Sequence, residues 1–137
     1  MDYLATCPNT KLRYYAGDMK FQVESDAAYL VLPNAKSRVA GHFYLLAFHN
    51  PNKAYPQTYN APIHTECYTL KNVVLSAAEA ECGGIFHNCI VTIRICNALE
   101  GMGHPQGRTT VITDNSTATS FIHLAMREKR SKSWNMK

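Results

Sequence analysis

The chain has 137 residues, 46% of them hydrophobic and 18% charged, which is the length and composition of one globular domain with a core of its own. It has no apolar run as long as a membrane span, and its first residues lack the basic and apolar segments of a secretory signal. The net charge of +4 is compatible with a polyanionic partner, and five cysteines without framework spacing favour reduced thiols in a cytosolic or nuclear setting.

The first half of the chain is predicted to form strands. Residues 1–18 have little periodicity and are interpreted as a short helical tail and connector, and residues 19–137 as the domain. A half-buried strand is expected over residues 19–25, where Phe21 and Val23 alternate with polar residues. A turn at Pro33 leads to an aromatic-rich second strand over residues 39–48, and a third strand is expected over residues 61–69.

The second half begins with the clearest helix of the chain. Ser76 and Glu79 match a capping box, in which the serine caps the helix and the glutamate reaches back to it. Gly101 and Gly103 are expected to end the helix. Between Ser76 and Gly101 lies an apolar stripe at close to helical spacing, formed by Cys82, Ile85, Phe86, Cys89, Ile93 and Cys96.

A fourth strand and further helices complete the predicted order. The strand covers residues 109–113, Asp114-Asn115-Ser116 caps a helix over residues 117–127, and another helix is expected near Trp134.

Three sequential strands joined by short loops predict an antiparallel meander. The long helix then carries the chain to a strand parallel to the first, by the right-handed crossover rule. A fourth strand beside the first creates a switch point, where sites form at the carboxyl ends of strands.

Three acidic residues are placed for such a site. Asp26 and Asp114 are each expected to end a strand, and Glu81 lies in the first turns of the long helix. Carboxylates are the ligands of Mg²⁺, and two ions about 4 Å apart can support hydrolysis of a phosphodiester. Glu79 and Glu81 are both candidates for the helix ligand of the metal. The capping box gives Glu79 a structural role, so Glu81 is the predicted ligand.

The ordered motifs resemble the ribonuclease H domain of copia-type retrotransposon polyproteins. The resemblance covers nearly the whole chain, and its opening residues 1–6 are similar to the end of a reverse-transcriptase region. The motifs are Ser25-Asp26-Ala27-Ala28-Tyr29, Lys36-Ser37-Arg38, Ser76-Ala77-Ala78-Glu79-Ala80-Glu81, Glu100-Gly101-Met102-Gly103-His104-Pro105, Thr113-Asp114-Asn115 and Arg130-Ser131-Lys132-Ser133.

The resemblance implies an α/β, ribonuclease H-like mixed sheet and a magnesium-dependent endoribonuclease that cleaves the RNA strand of an RNA–DNA hybrid. It implies that Asp26, Glu81 and Asp114 are catalytic residues that hold two Mg²⁺ ions, or Mn²⁺, and that Arg38 and Asn115 contact the substrate. The partners would be the hybrid and the rest of a retroelement polyprotein, reverse transcriptase and integrase, with no membrane. The setting would be a cytoplasmic virus-like particle or the nucleus.

The chain departs from this family at several points. Cys82 stands where the family has tyrosine, and Asn135 where it usually has aspartate. The resemblance also implies a fifth strand and a final helix carrying a fourth carboxylate beyond Lys137, so the domain is expected to be truncated at its C-terminus. The alternative function is therefore an inactive retroelement remnant that at most binds nucleic acid.

The cysteines and histidines suggest two other kinds of site, a zinc site and a cysteine nucleophile. Cys82, Cys89 and Cys96 are seven residues apart, about 10 Å along a helix axis, too far to share one zinc ion, and are interpreted as core thiols. His64 and Cys67 have a ligand-like spacing without a second pair. A nucleophile pair of Cys89 with His87 is disfavoured because the two point to different faces of the helix.

Overall fold

The computed structural model describes residues 5–12, 14–47 and 60–124 of the chain. They form a mixed four-stranded sheet with helices, so the predicted α/β architecture with three antiparallel strands and one parallel strand is confirmed. The elements, in chain order, are strands β1 (Phe21–Leu32), β2 (Lys36–Leu45) and β3 (His64–Thr69), helix α1 (Ala77–Gly101), strand β4 (Thr110–Ile112) and helix α2 (Ser116–Leu124).

The strand order across the sheet is β3-β2-β1-β4. The first three strands form the antiparallel meander, and α1 returns the chain so that β4 runs parallel to β1. The connections from β1 and β4 therefore leave in opposite directions, with β2 on one side of β1 and β4 on the other. This is the predicted switch point, and it brings the carboxyl end of β4 beside the middle of β1.

The predicted end of β1 at residue 25 is wrong, because β1 continues through Asp26 to Leu32. Asp26 lies opposite Ala40 on β2, and Ala28 lies opposite Arg38. Aspartate is a poor strand former on its own, but pairing with β2 decides the structure here. The ladder becomes irregular only after Ala28, ahead of a 3-10 turn at Pro33–Ala35.

Other predicted boundaries shift by a few residues. Strand β2 begins at Lys36 rather than at residue 39, because the turn is confined to Pro33–Ala35. Strand β3 begins at His64 rather than at residue 61. Strand β2 ends at Leu45, before the predicted end at residue 48. The predicted end of the second helix at residue 127 and the predicted helix near Trp134 lie outside the described residues.

The core lies between the sheet and α1. Val23 of β1 and Phe43 of β2 are completely buried, and the rings of Phe21 and Phe43 stack with their centroids 6.1 Å apart. Val91 and Leu99 of α1 cover them from the helix side. Alternate residues of β1 and β2 thus form one apolar face, as expected for strands that are covered by helices on one side.

The ends of α1 follow local sequence signals. The hydroxyl oxygen of Ser76 accepts a hydrogen bond from the backbone N–H of Glu79 (3.1 Å), as predicted. The carboxylate of Glu79 accepts a hydrogen bond from the N–H of Leu75 (2.7 Å). The second bond of the capping box is therefore made to the residue before Ser76. At the other end Gly103 adopts φ = 87° and the N–H of His104 bonds to the carbonyl of Leu99 (2.9 Å), which closes the helix as a glycine cap does.

Helix α1 is long and apolar enough to cross a membrane, judged by length and composition alone. In this structure it packs on β1 and β2 and places Val91 and Leu99 in the core. A core helix passes the same test, so this property does not alter the assignment of α1 to the domain core.

Glycines let α1 approach the sheet closely. A methyl group at Gly84 would lie 2.5 Å from Cγ1 of Val39, and one at Gly41 would lie 2.4 Å from Oδ1 of Asn88. Both distances are too short for unbonded heavy atoms, so a neighbour would have to shift, and Val39 is completely buried. The approach of α1 to β2 therefore depends on the absence of these side chains.

We expect Gly84→Ala to lower the free energy of unfolding by about 2 kcal/mol. Overpacking beside an immobile neighbour costs up to about 3 kcal/mol, whereas alanine gains only about 1 kcal/mol of helix propensity. Gly83→Ala is the matched control, because its methyl would meet only flexible Leu70 methyls at 3.3 and 3.4 Å. Urea denaturation should show that the control is unchanged or stabilised by about 0.5 kcal/mol. Equal destabilisation of both variants would contradict the close-approach explanation.

Candidate metal centre

Three carboxylates from separate elements meet at the carboxyl end of β4. Asp26 lies on β1, Glu81 in the second turn of α1, and Asp114 two residues after β4. One carboxylate oxygen from each lies within 4.8 Å of the others. The structure therefore brings together the three residues that the sequence analysis selected, although they are far apart along the chain.

The sheet register explains why the two aspartates meet. Glu24 of β1 pairs with Ile112 of β4, and Asp26 and Asp114 each follow this pair by two residues. Because the strands are parallel, these positions lie at the same height. Strand β4 ends at Ile112, so Asp114 stands beside the continuing part of β1 rather than within a ladder.

Glu81 is the buried member of the group, with only 4% of its surface exposed, whereas both aspartates are exposed. Its Oε1 accepts a hydrogen bond from the backbone N–H of Ala27 (3.1 Å), and its Oε2 accepts from the hydroxyl of Thr113 (3.4 Å). The donors are the chain neighbours of the two aspartates. The orientation of the Glu81 carboxylate is therefore tied to the backbone positions of both Asp26 and Asp114.

Burial raises the pKa of Glu81, and the negative charges of Asp26 and Asp114 raise it further. The hydrogen bonds from Ala27 and Thr113 lower the pKa, but they do not offset these effects. The ionised cluster is thus electrostatically unfavourable by itself, since like charges close together disfavour ionisation. A bound cation would offset this repulsion.

The donor set indicates the type of cation. All three side chains offer only carboxylate oxygens, which suit hard ions such as Mg²⁺ and Mn²⁺ better than ions that prefer sulfur or imidazole. The exposure of both aspartates leaves room for water or substrate oxygens to complete the coordination. Within the described ranges, no other group of three His, Cys, Asp or Glu side chains lies close enough to hold an ion.

The two predicted substrate contacts lie on either side of this cluster. Arg38 is exposed on β2 and shares the sheet face of Asp26, two pairs further along the ladder, which places their Cα atoms about 7–8 Å apart. Asn115 caps α2, since its Oδ1 accepts from the N–H of Ala118 (2.9 Å). The cap does not use the amide nitrogen, so Asn115 can offer its N–H₂ group to a substrate.

Sequence reasoning missed the groups that hold the acids in place. Thr113 contacts Glu81 and also accepts a hydrogen bond from the N–H of Asn115 (3.3 Å). A hydroxyl immediately before Asp114 was the only sequence signal for this contact. Ala27 acts through its backbone, which no pattern of side chains reveals.

A second polar cluster lies on β3 and α1, away from the acids. The two oxygens of Glu66 contact Nε2 of His87 (2.7 Å) and Nε2 of His64 (3.3 Å). Burial acts to raise the pKa of Glu66, but the contacts with both histidines outweigh it and leave the pKa lowered. The ring of Tyr68 lies against that of His87, with centroids 3.9 Å apart, and burial raises the pKa of Tyr68 to about 12.

The cysteines do not form a competing centre. All five are free thiols; Cys82 is buried, and Cys89 and Cys96 are partly buried along α1. Burial raises the pKa of the Cys89 thiol, which disfavours the reactive thiolate. His87 is engaged with Glu66 instead, and Cys67 is exposed on the strand that carries His64.

Comparisons with protein-family models, with curated proteins and with solved structures found no match to this chain. The assignment of a function therefore depends on the geometry of the site and on the sequence motifs.

Proposed function

We propose that this domain is a metal-dependent ribonuclease that cleaves the RNA strand of an RNA–DNA hybrid. The observation that carries the proposal is the convergence of Asp26, Glu81 and Asp114 within 4.8 Å at the end of a parallel strand pair. The quoted motifs that resemble the ribonuclease H domain of retrotransposons support the choice of substrate. On the same basis, the domain acts beside reverse transcriptase and integrase.

Each acid has a distinct part in this proposal. Asp26 and Asp114 are exposed and offer oxygens to divalent ions and to the approaching phosphate, whereas Glu81 holds its place from the buried side. Asp26, Glu81 and Asp114 would hold the Mg²⁺ ions, which would activate a water molecule and stabilise charge on the leaving oxygen. Glu81 would add a third negative charge to offset the positive charge of the ions.

Arg38 and Asn115 contact the hybrid in this proposal. The guanidinium of Arg38 carries a fixed positive charge on the same sheet face as Asp26, where it can pair with a phosphate. The amide N–H₂ of Asn115 stands next to Asp114 in the chain and can donate to an oxygen of the substrate. A contact to the 2′-hydroxyl is what allows an enzyme to distinguish RNA from DNA.

The test is a cleavage assay with end-labelled duplexes. We expect the chain with Mg²⁺ to cut the RNA strand of a hybrid, to leave the same duplex intact when that strand is DNA, and to lose activity when a chelator is added. Binding of the hybrid without cleavage would favour the inactive remnant. Equal cleavage of both duplexes would show that the substrate is not defined by the 2′-hydroxyl.

A further inference from the structure

Asn88 is a completely buried polar residue on α1, two helical turns after Glu81. Its amide nitrogen donates to the hydroxyl oxygen of Ser25 (2.9 Å) and to the backbone carbonyl of Ala40 (3.0 Å). These partners lie on β1 and β2. One amide therefore joins the helix to both central strands of the sheet.

The oxygen of the same amide has no hydrogen-bond partner within the described part of the chain. It faces Gly41, where an added methyl group would come within 2.4 Å. The amide cannot be reversed, because the carbonyl of Ala40 accepts and does not donate. An unsatisfied buried acceptor costs about 1–3 kcal/mol, which offsets much of what the two bonds donated by the same amide contribute. Such a departure from good packing is typical of residues retained for a site.

The contacts of α1 with β1 surround Asp26. Asn88 bonds Ser25, the residue before Asp26, and Glu81 bonds the N–H of Ala27, the residue after it. Ser25 is 4% exposed and faces the helix, as its neighbour Val23 does on the same side of the strand. These two hydrogen bonds, one on each side of Asp26, fix the position of α1 along the length of β1.

We infer that Asn88 is a positioning residue for the acidic cluster, since by bonding Ser25 it fixes β1 against α1 and thereby places Asp26 beside Glu81. The inference rests on the proposed function of the cluster as a cation site. Without this bond, Asp26 keeps only one of its two flanking contacts with α1, the bond from the N–H of Ala27 to Glu81, so its position relative to Glu81 is less firmly fixed. Groups that orient ligands commonly account for about 10–100-fold in metal affinity.

The test measures Mn²⁺ binding by the loss of the free-ion electron paramagnetic resonance signal, alongside urea unfolding. We expect Ser25→Ala to weaken Mn²⁺ binding about tenfold. Ser25→Thr, which keeps the hydroxyl, should restore most of it. Thr92→Val is the matched control, because it also removes one buried hydroxyl that is bonded to Asn88. The hydroxyl of Thr92 donates to the backbone carbonyl of Asn88 (2.7 Å). Thr92→Val should lower stability about as much as Ser25→Ala does. It should leave the Mn²⁺ affinity within about twofold of that of the unmodified chain, since the lost bond joins two residues of α1.

The outcomes separate this inference from the proposed function. If the unmodified chain binds Mn²⁺ and Ser25→Ala binds it equally well, or if Thr92→Val weakens binding as much, the positioning role is refuted and the cation site stands. If the unmodified chain binds no Mn²⁺, both are refuted.

Discussion

Asp26→Asn should abolish cleavage of an RNA–DNA hybrid, with a loss of at least about a thousandfold. Asp26 is the exposed acid on the central strand, within reach of both Glu81 and Asp114. Metal ions contribute several kcal/mol to the stabilisation of charge in a transition state, and each 1.36 kcal/mol is a factor of about ten in rate. Loss of one ligand charge removes much of that contribution, while the strand, paired opposite Ala40, is retained.

Asp18→Asn is the matched control for this change. Asp18 is an exposed aspartate of the same chain, outside the acidic cluster. Rates should be measured with equal amounts of folded protein, as judged by circular dichroism. Undiminished cleavage by Asp26→Asn, or an equal loss in Asp18→Asn, would contradict the assignment of the site.

Glu81→Gln should have opposite effects on stability and on cation binding. The amide keeps the shape of the side chain and can still accept from the N–H of Ala27, but it removes a buried charge that lies beside two others. We expect the metal-free protein to gain about 0.5–2 kcal/mol of stability near neutral pH, the usual gain when an unfavourable site residue is replaced. Mn²⁺ affinity should fall by at least about a hundredfold, since loss of a group that only orients a ligand already costs about 10–100-fold.

The pH dependence provides the internal check for this variant. Because the pKa of Glu81 is raised in the folded state, folding favours the protonated form, and the carboxyl stabilises the fold most below the pKa it has when unfolded. The wild type then loses this stability as the pH rises through the raised pKa. The advantage of Glu81→Gln should therefore appear with increasing pH in urea unfolding and disappear in acid. A constant or decreasing advantage would show that the Glu81 charge is not the cause.

Local signals predicted much of the fold. Ser76 and Glu79 located the start of α1, and Gly103 located its end, because capping depends on residues within one turn. The capping task of Glu79 also singled out Glu81 as the acid that faces the aspartates. The parallel placement of β4 followed from the order of elements and the handedness of the crossover.

Non-local contacts account for what sequence reasoning missed. Asp26 was expected to end a strand, but its pairing with Ala40 continues β1, and no local pattern records that partner. The contact of Asn88 with Ser25 depends on how closely α1 approaches the sheet at Gly84 and Gly41. Asn88 is one of four buried polar or charged residues of α1, and its partner could not be read from spacing.

The most direct test of the central claim is the number of Mn²⁺ ions bound by the unmodified chain and by the double variant Asp26→Asn/Asp114→Asn, measured by equilibrium dialysis. We expect saturable binding by the unmodified chain that the double variant loses, because the variant leaves Glu81 as the only carboxylate of the group. Equal binding by both proteins, or none by either, would contradict the claim that these three side chains form a cation site.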